Sequence, residues 1–272
     1  MKFTEFVKAV RSGGMKAMLF RGLYTSKIMN LEQLGKLAEL LGNNARVGGI
    51  TISMDSRLIG ADIKGEIMVD WYEYQERQLI QKYFPNDEPI IELGASIGVV
   101  ACMVNRRLTS PDQHVVVEAN PDLMSILKKN RDMNHCQFQI IEAAIGYGSA
   151  YITFFSNKGS LTGSIYRGGG KLMRVPSRTL QSIAEGAGFS HFNLICDIEG
   201  SEIDVIDHEL TFISEHVGLI LVETHHLTPF GEEGMRTVIE KLQKSGFEII
   251  DKIHNNYYLQ NKGPLLLKGT SI

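Results

Sequence analysis

The sequence predicts an α/β fold in which a mostly parallel sheet is covered by helices on both faces. Strand-like apolar runs alternate with helical patterns of roughly 10 to 15 residues from residue 89 to the end of the chain. Runs such as HVVVEAN contain consecutive apolar residues without polar alternation, which is typical of strands buried on both faces. The last two runs, FEIIDKIH and NNYYLQN, are joined by a tight turn and predict one antiparallel edge strand.

The elements can be followed in order along the chain. The strands of the alternation are PIIEL, HVVVEAN, FQIIEAAIG, FNLICDIEG and GLILVETHH. The helices between and after them are GVVACMVNRRL, PDLMSILKKNRDMN, TLQSIAEGAG, SEIDVIDHELTFISEH and EEGMRTVIEKLQKSG. AYITFFS and KLMRVPS predict a hairpin-like excursion after the third strand.

Two helical patterns and one or two short strands precede the alternation. Asn30 is placed to cap the helix NLEQLGKLAELLGN, which Gly42 ends. RVGGITISMDSRLIG predicts the short strands, and DWYEYQERQLIQKYFP a helix that ends before Pro85. We therefore divide the chain into a helical and strand extension, residues 1–65, and a main domain, residues 66–272.

Composition excludes several classes of protein. A net charge of −3 does not indicate a general affinity for nucleic acid, and no apolar run is long enough to span a membrane. Charged residues interrupt the N-terminus too often for a secretory signal. Cys102, Cys136 and Cys196 have no metal-binding spacing and are expected to be reduced thiols. These features favour a cytoplasmic protein.

The stretch IIELGASIGVVACMV, residues 90–104, predicts a cofactor site between the first strand of the alternation and its helix. Gly94 and Gly98 permit a tight turn and close approach of a ligand to the backbone. Ser96 occupies the position where a dinucleotide-binding G-x-G-x-x-G loop has its middle glycine, which argues against NAD.

Two acids at strand ends indicate which cofactor binds instead. Glu92 would repel a pyrophosphate but suits the sulfonium and ammonium groups of S-adenosylmethionine. Glu118, at the end of the next strand, can accept hydrogen bonds from both ribose hydroxyls. The sequence therefore predicts S-adenosylmethionine as the cofactor.

Five motifs in order resemble those of the FkbM family of S-adenosylmethionine-dependent methyltransferases: IIELGASIG, VVVEANPDLMSILKKN, IEAAIG, LICDIEGSEIDVI and LILVETH. The resemblance covers about residues 66–260 and is carried most strongly by LICDIEGSE. It implies a Rossmann-like, seven-stranded class I methyltransferase sheet with an N-terminal helical extension. It also implies O-methylation of a sugar or natural product.

The glycine loop, the strand-end acids and the resemblance together give a set of expected cofactor-binding residues. Glu73 lies on a helix, and the resemblance implies that this helix closes over the cofactor. Glu142 either contacts the adenine amino group or is a solvated residue at a strand end. The full set is Glu73, Glu92, Gly94, Ala95, Ser96, Gly98, Glu118, Ala119, Asn120, Glu142, Ala143 and Asp197.

The expected catalytic residues, Asp197, Glu223 and His225, follow the fourth and fifth strands of the alternation. Two mechanisms fit them. In one, Asp197 and Glu223 hold a divalent cation that lowers the pKa of the acceptor hydroxyl. In the other, which we prefer at this stage, no metal is bound and His225 or Asp197 is the general base. The second predicts that a chelator leaves activity intact.

The sequence says less about the acceptor substrate and the binding partners. The Gly-rich loop of the excursion could be a lid, and the nearby Arg167, Lys171 and Arg174 could contact the phosphate of a nucleotide sugar in surface-glycan biosynthesis. The basic N-terminus could contact an anionic membrane, a partner enzyme or a second copy in a homodimer. Alternatives are a non-catalytic cofactor-binding subunit of a glycan or polyketide assembly system and, less favoured, an NAD-dependent oxidoreductase.

Overall fold

The structure is a computed structural model that describes residues 14–156, 161, 163–164, 171–225 and 231–263. A central sheet of seven strands is covered by helices on both faces, as the alternating pattern predicts. Within the described residues, no helix combines the length and the apolar character needed to span a bilayer. The predicted hydrophobic periodicity thus produces a layered α/β architecture.

The secondary structure follows the predicted order. The helices are α1 (Gly14–Thr25), α2 (Leu31–Leu40), α3 (Ala61–Met68), α4 (Tyr74–Tyr83), α5 (Val99–Asn105), α6 (Met124–Met133), α7 (Leu180–Ala187), α8 (Glu202–His216) and α9 (Gly231–Lys244). The strands are β1 (Asn44–Val47), β2 (Ile50–Ser53), β3 (Ile90–Leu93), β4 (His114–Glu118), β5 (Gln139–Glu142), β6 (Ala144–Ile145), β7 (Tyr151–Ser156), β8 (Gly163–Ser164), β9 (Lys171–Arg178), β10 (Phe192–Cys196), β11 (Val217–Glu223), β12 (Phe247–Ile253) and β13 (Asn256–Asn261).

The strand order of the central sheet is β12-β13-β11-β10-β3-β4-β5. β13 lies next to the edge strand β12 and is antiparallel to both of its neighbours, β12 and β11. The other strands of the sheet are parallel to one another. Chain order reverses between β3 and β10, which are direct neighbours. A crevice forms outside the carboxyl ends of strands at such a switch point, so the fold itself provides a binding site there.

Two apolar cores lie on the two faces of the sheet. Because side chains alternate along a strand, Ile91 and Leu93 enter one core whereas Ile90 enters the other. The first core contains the buried faces of α7, α8 and α9, and the second contains those of α4, α5 and α6. Both faces of β3 are therefore buried.

The N-terminal extension shares the second core. Phe20 and Leu34, both fully buried, belong to the same cluster of side chains as residues of the central sheet. The β1–β2 hairpin docks on α6, where Asn130 Oδ1 accepts from Ser53 N at 2.8 Å and Asn134 Oδ1 accepts from Thr51 N at 2.9 Å. The boundary at residue 65 stays a prediction, but the extension is packed as part of one core.

The excursion after β5 forms a second, four-stranded sheet in the order β6-β9-β7-β8. β7 and β9 pair antiparallel, which confirms the hairpin expected from AYITFFS and KLMRVPS. β6 continues directly from β5 and pairs parallel with the end of β9. This connection holds the second sheet against the carboxyl end of the central one.

Two basic side chains of α1 donate hydrogen bonds to backbone carbonyls of neighbouring elements. Lys16, almost fully buried, donates to the carbonyl of Asn44 at 2.8 Å, and Arg21 donates to the carbonyl of Val69 at 3.0 Å. Both cations therefore stabilise the extension. Lys2, Lys8 and Arg11 belong to the basic N-terminus for which the sequence suggests a membrane or partner contact, and they lie outside the described residues.

Candidate active site

A pocket lies at the carboxyl ends of β3, β4 and β10. Its floor contains Leu93 and Val117, the last apolar residues of two neighbouring strands. Phe154 of β7 and Leu161 form a wall on the side of the second sheet. The pocket therefore occupies the switch point, where the glycine loop predicted a cofactor.

Gly94 is required at the bottom of this pocket by both conformation and space. Its φ of +86° lies in the left-handed region, and a Cβ atom built on it would stand 1.7 Å from the carbonyl oxygen of Asp197. The backbone N–H of Asp197 donates to Leu93 O at 3.0 Å, which fixes the loop after β10 against the loop after β3. The glycine thus lets the two loops touch.

Glu118 joins the glycine loop to the loop after β4. Its Oε2 accepts from the backbone N–H of Ser96 and its Oε1 from that of Asn120, each at 2.7 Å. The side chain is nearly buried but lines the pocket. Burial raises the pKa of Glu118 to about 7, although the backbone hydrogen bonds favour the charged form.

Tyr72 and Glu73 reach the pocket from the turn before α4. The Tyr72 hydroxyl lies 3.1 Å from Ser96 Oγ. The turn is held by Arg77, a buried side chain that donates to Tyr72 O at 3.0 Å and pairs with Asp70 at 2.9 Å. Glu73 has a φ of 51°, and its Oε2 is buried without a hydrogen bond among the described residues. Burial raises the pKa of Glu73 to about 8.

Three predicted catalytic residues meet beside the pocket. Asp197 follows β10 and lines the pocket, Glu223 ends the neighbouring β11, and His225 stands two residues further on. The Nε2 atom of His225 lies 3.4 Å from Asp197 Oδ1 and 4.0 Å from Glu223 Oε1. Glu199, another pocket residue, places Oε2 at 3.8 Å from the same nitrogen. The strand register brings these side chains together as expected.

Glu202, at the start of α8, holds His225 from the other side. Its Oε1 accepts from Ile198 N and lies 3.0 Å from His225 Nδ1. Burial lowers the pKa of His225, but the Glu202 hydrogen bond and the Asp197 charge outweigh burial and raise that pKa to about 10. Burial and the neighbouring Glu223 carboxylate raise the pKa of Asp197 well above its usual range.

Residues 92–249, more than half of the chain, match the profile described as the Methyltransferase FkbM domain. The chain belongs to the FkbM methyltransferase family. This confirms the resemblance carried by the five motifs and makes the protein a methyltransferase. A search of curated proteins returned no match.

Three solved structures match part of this chain at low sequence identity. A protein of the NADB-Rossmann superfamily from Streptococcus agalactiae has a TM-score of 0.41 at 11% identity, covering 67% of this chain and 64% of that one, which is less than two thirds of its length. A precorrin-6y C5,15-methyltransferase from Geobacter metallireducens has a TM-score of 0.39 at 10% identity, and the match covers 67% of this chain and 83% of that one. Fibrillarin from Aeropyrum pernix, with natively bound S-adenosyl-L-methionine, has a TM-score of 0.37 at 15% identity, and the match covers 64% of this chain and 65% of that one. The family assignment rests on the sequence match alone.

As a member of the FkbM family, the protein uses S-adenosyl-L-methionine as its cofactor. The residues of the pocket fit this molecule. Glu118 presents a carboxylate to the pocket, and Glu73 has a buried oxygen with no hydrogen bond among the described residues. Ala119 and Ala143, two further predicted residues, line the same pocket.

Glu92 is not in the pocket, so the predicted contact with the cationic end of the cofactor needs correction. Its side chain is buried under the sheet, where Oε2 lies 3.4 Å from Nε2 of the equally buried His114. Burial raises the pKa of Glu92 to about 8 and lowers that of His114 to about 3, which leaves both groups neutral. The reason is strand alternation, since Leu93 takes the pocket side of β3.

Four other predicted cofactor residues do not line the pocket either. Gly98 begins α5 and packs on α6, where an added Cβ atom would stand 2.6 Å from Leu127 Cδ1. Ala95 is buried in the loop after β3. Asn120 is buried as well and donates to Ser156 Oγ of β7 at 3.2 Å. Glu142 is exposed at the end of β5, which corresponds to the solvated alternative.

The sequence missed the residues that wall the pocket from the second sheet, Phe154 and Leu161. The aromatic pair in AYITFFS was the available signal, but its strand could not be placed against the cofactor loop. Two candidate phosphate ligands have partners of their own: Lys171 pairs with Asp122 at 2.9 Å, and the Arg174 guanidinium lies 4.2 Å from the centre of the Tyr151 ring. Arg167 lies outside the described residues.

Proposed function

We propose that the protein transfers a methyl group from S-adenosylmethionine to a hydroxyl group of a sugar or a natural product. One observation carries this proposal. Asp197 lines the cofactor pocket and lies at the same time beside Glu223 and His225, so groups able to activate a hydroxyl adjoin the cofactor. O-methylation requires this combination, because the acceptor oxygen must reach the methyl group and lose its proton.

Binding of the cofactor would depend on two acidic side chains of the pocket, Glu73 and Glu118. Bound S-adenosylmethionine supplies a methyl group made electrophilic by its positive sulfur. Glu118 would accept hydrogen bonds from the ribose hydroxyls, and Glu73 rather than Glu92 would face the positive charge. Gly94 lets the loops after β3 and β10 touch at the bottom of the pocket. Phe154 and Leu161 would keep water from the far side of the pocket.

The acceptor half would use the Asp197, Glu223 and His225 cluster. A hydroxyl placed beside Asp197 gives up its proton to this cluster or to water, and its oxygen forms the new C–O bond as the S–C bond breaks. The products are a methyl ether and S-adenosylhomocysteine. Glu223 is itself fixed by Asn255, whose Nδ2 donates to Oε1 at 2.7 Å. The cluster is thus positioned before the acceptor arrives.

The charge at the pocket mouth favours an acceptor whose reacting part is uncharged. Asp197, Glu199 and Glu223 would repel a phosphate near the methylated oxygen. A nucleotide sugar remains our preferred class only with its phosphates directed away from these acids. Lys171 and Arg174 would have to leave their present partners to bind them.

The test is a product assay with mass spectrometry. The purified protein and S-adenosylmethionine are incubated with panels of nucleotide sugars, oligosaccharides and hydroxylated natural products, and each acceptor is examined for the gain of one CH₂ unit. We expect an O-methyl product that is lost in Asp197→Asn and retained in Glu248→Gln, a change on the exposed side of β12.

Other results would contradict the proposal in distinguishable ways. An N- or C-methylated product would keep the methyltransferase but overturn the choice of oxygen. Binding of S-adenosylmethionine by calorimetry with no product from any panel would favour the non-catalytic subunit. Failure to bind S-adenosylmethionine at all would remove both alternatives.

A further inference from the structure

The Asp197, Glu223 and His225 cluster has the spacing of a metal site. One ligand atom from each residue lies within 4.8 Å of the other two. The two separations from His225 Nε2 are 3.4 Å to Asp197 and 4.0 Å to Glu223. Ligands placed about 2.1 Å from one ion lie roughly 3 to 3.5 Å apart, so small side-chain rotations would complete the site.

The surroundings of the cluster give an independent indication. Asp197 Oδ1 has no accessible surface and no hydrogen-bond partner among the described residues. Glu202, whose side chain is fully buried, engages His225 Nδ1 and turns Nε2 toward Asp197. A carboxylate behind the second nitrogen is the usual support for a histidine that binds metal, because it fixes the tautomer and the ring orientation.

The charge of the cluster also favours a cation. Among the described residues, the carboxylates of Asp197, Glu202 and Glu223 lie 3.0 to 4.0 Å from the imidazole of His225. When these carboxylates are ionised, even a protonated imidazole leaves an excess of negative charge in a partly buried place, which is unfavourable. A divalent ion would balance two of them and satisfy the open oxygen of Asp197.

We infer that Asp197, Glu223 and His225 bind a divalent metal ion at the edge of the cofactor pocket. The mixed set of one imidazole and two carboxylates suits Mn²⁺ or Zn²⁺ better than Ca²⁺, which takes oxygen ligands. This reverses the metal-free preference drawn from the sequence. The distances from His225 to both carboxylates, which the sequence cannot supply, are the reason for the change.

The role of the ion in turnover rests on the proposed function, whereas its binding does not. Coordination positions left open by the three residues would take the acceptor hydroxyl and lower its pKa. The hydroxyl proton passes to water, the oxygen electron pair forms the C–O bond, and the S–C electron pair remains on sulfur. An acceptor with two neighbouring hydroxyls, as on a sugar ring, could bind through both oxygens.

Binding is tested first, on the full chain without acceptor. The protein is treated with EDTA, dialysed and titrated with Mn²⁺, Mg²⁺, Zn²⁺ and Ca²⁺ by calorimetry, and bound Mn²⁺ is also followed by its electron paramagnetic resonance signal. We expect one ion per chain, with affinity reduced about tenfold or more in Asp197→Asn, Glu223→Gln and His225→Gln. Glu248→Gln is the matched control, and circular dichroism checks that each variant is folded.

The outcomes separate this inference from the proposed function. Absence of binding of all four ions, or equal binding by the folded variants and the wild type, would overturn the metal site even if methyl transfer occurs. Stoichiometric binding that the three variants lose supports it even if no acceptor is methylated. Once an acceptor is known, loss of turnover in EDTA with recovery in Mn²⁺ would support the role in activation, and full turnover in EDTA would refute that role.

Discussion

The Nδ1 atom of His225 lies 3.0 Å from Oε1 of Glu202, which has no exposed side-chain surface. The same oxygen accepts the backbone N–H of Ile198, so the carboxylate is anchored to the loop that follows β10. This pair determines which nitrogen of His225 faces Asp197. Glu202 lies at the start of α8, where the helix dipole favours an acid, but it also positions His225 in the candidate active site.

Replacing Glu202 by glutamine tests this positioning. Because Oε1 contacts both Ile198 N and His225 Nδ1, a glutamine oxygen in its place can keep both contacts but loses the negative charge that favours a proton on Nδ1. We expect turnover to fall about tenfold to a hundredfold, with S-adenosylmethionine affinity changed little. The measurements are kcat on an identified acceptor and calorimetry of the cofactor. Unchanged turnover would show that the charge of Glu202 is not needed to position His225.

Replacing Gly94 by alanine should destabilise the protein and weaken cofactor binding. The new Cβ atom would collide with the carbonyl of Asp197, and the left-handed φ adds strain. We expect the free energy of unfolding to fall by about 2 to 4 kcal/mol in denaturant titrations. Gly148→Ala is the control, because Gly148 has a φ of +76° but open space around its Cβ position. A loss no larger than in this control would contradict the collision.

Cofactor affinity should depend on the ionisation of Glu118. Its pKa of about 7 lies above the usual value of a glutamate, so the carboxylate becomes protonated as the pH falls through that value. The protonated form loses acceptor capacity toward the ribose hydroxyls, and affinity for S-adenosylmethionine should fall with it. Calorimetry on both sides of this pKa measures the effect. Affinity that is constant with pH would indicate that Glu118 does not hold the ribose.

Glu118→Gln should reduce that affinity about tenfold or more at pH values above the transition. An amide nitrogen would face one of the two backbone donors, Ser96 N or Asn120 N, and the charge-assisted bonds would be lost. Glu142→Gln is the matched control, since Glu142 ends the adjacent strand but is exposed. A similar loss in both variants would place Glu142 back among the cofactor ligands.

The buried pair of Glu92 and His114 predicts a pH dependence of stability. Above the ordinary histidine pKa of 6.5, His114 is neutral in both states, while folded Glu92 keeps its proton up to about 8 and the unfolded glutamate does not. The native state then binds more protons, so the free energy of unfolding decreases as pH rises through this window. The contribution is about 1.4 kcal/mol per pH unit.

Glu92→Gln removes this contribution while conserving shape. The decrease between pH 6.5 and 8 should be shallower in the variant than in the wild type, as measured by urea unfolding at several pH values. Glu248→Gln, on an exposed part of β12, should leave the wild-type slope unchanged. Parallel slopes for the wild type and Glu92→Gln would mean that Glu92 is ionised in the folded protein.

Much of the fold follows from local sequence signals. Asn30 caps α2 in a capping box with Gln33, and Pro121 begins the turn before α6, as their positions predicted. The docking of β1 and β2 on α6 could not be predicted in this way. It depends on the side chains of Asn130 and Asn134, which are far along the chain from the strands that they contact.

By itself, the sequence determined the alternation of strands and helices, the glycine bend after β3 and the family, because these depend on short-range patterns and motif order. Only the tertiary structure decided which acids face the pocket. Both faces of β3 are buried, so the pattern IIEL cannot tell whether Glu92 or Leu93 points to the cofactor. The approach of His225 to Asp197 and Glu202 likewise depends on the register of β10 and β11 and on the start of α8, which long-range packing fixes.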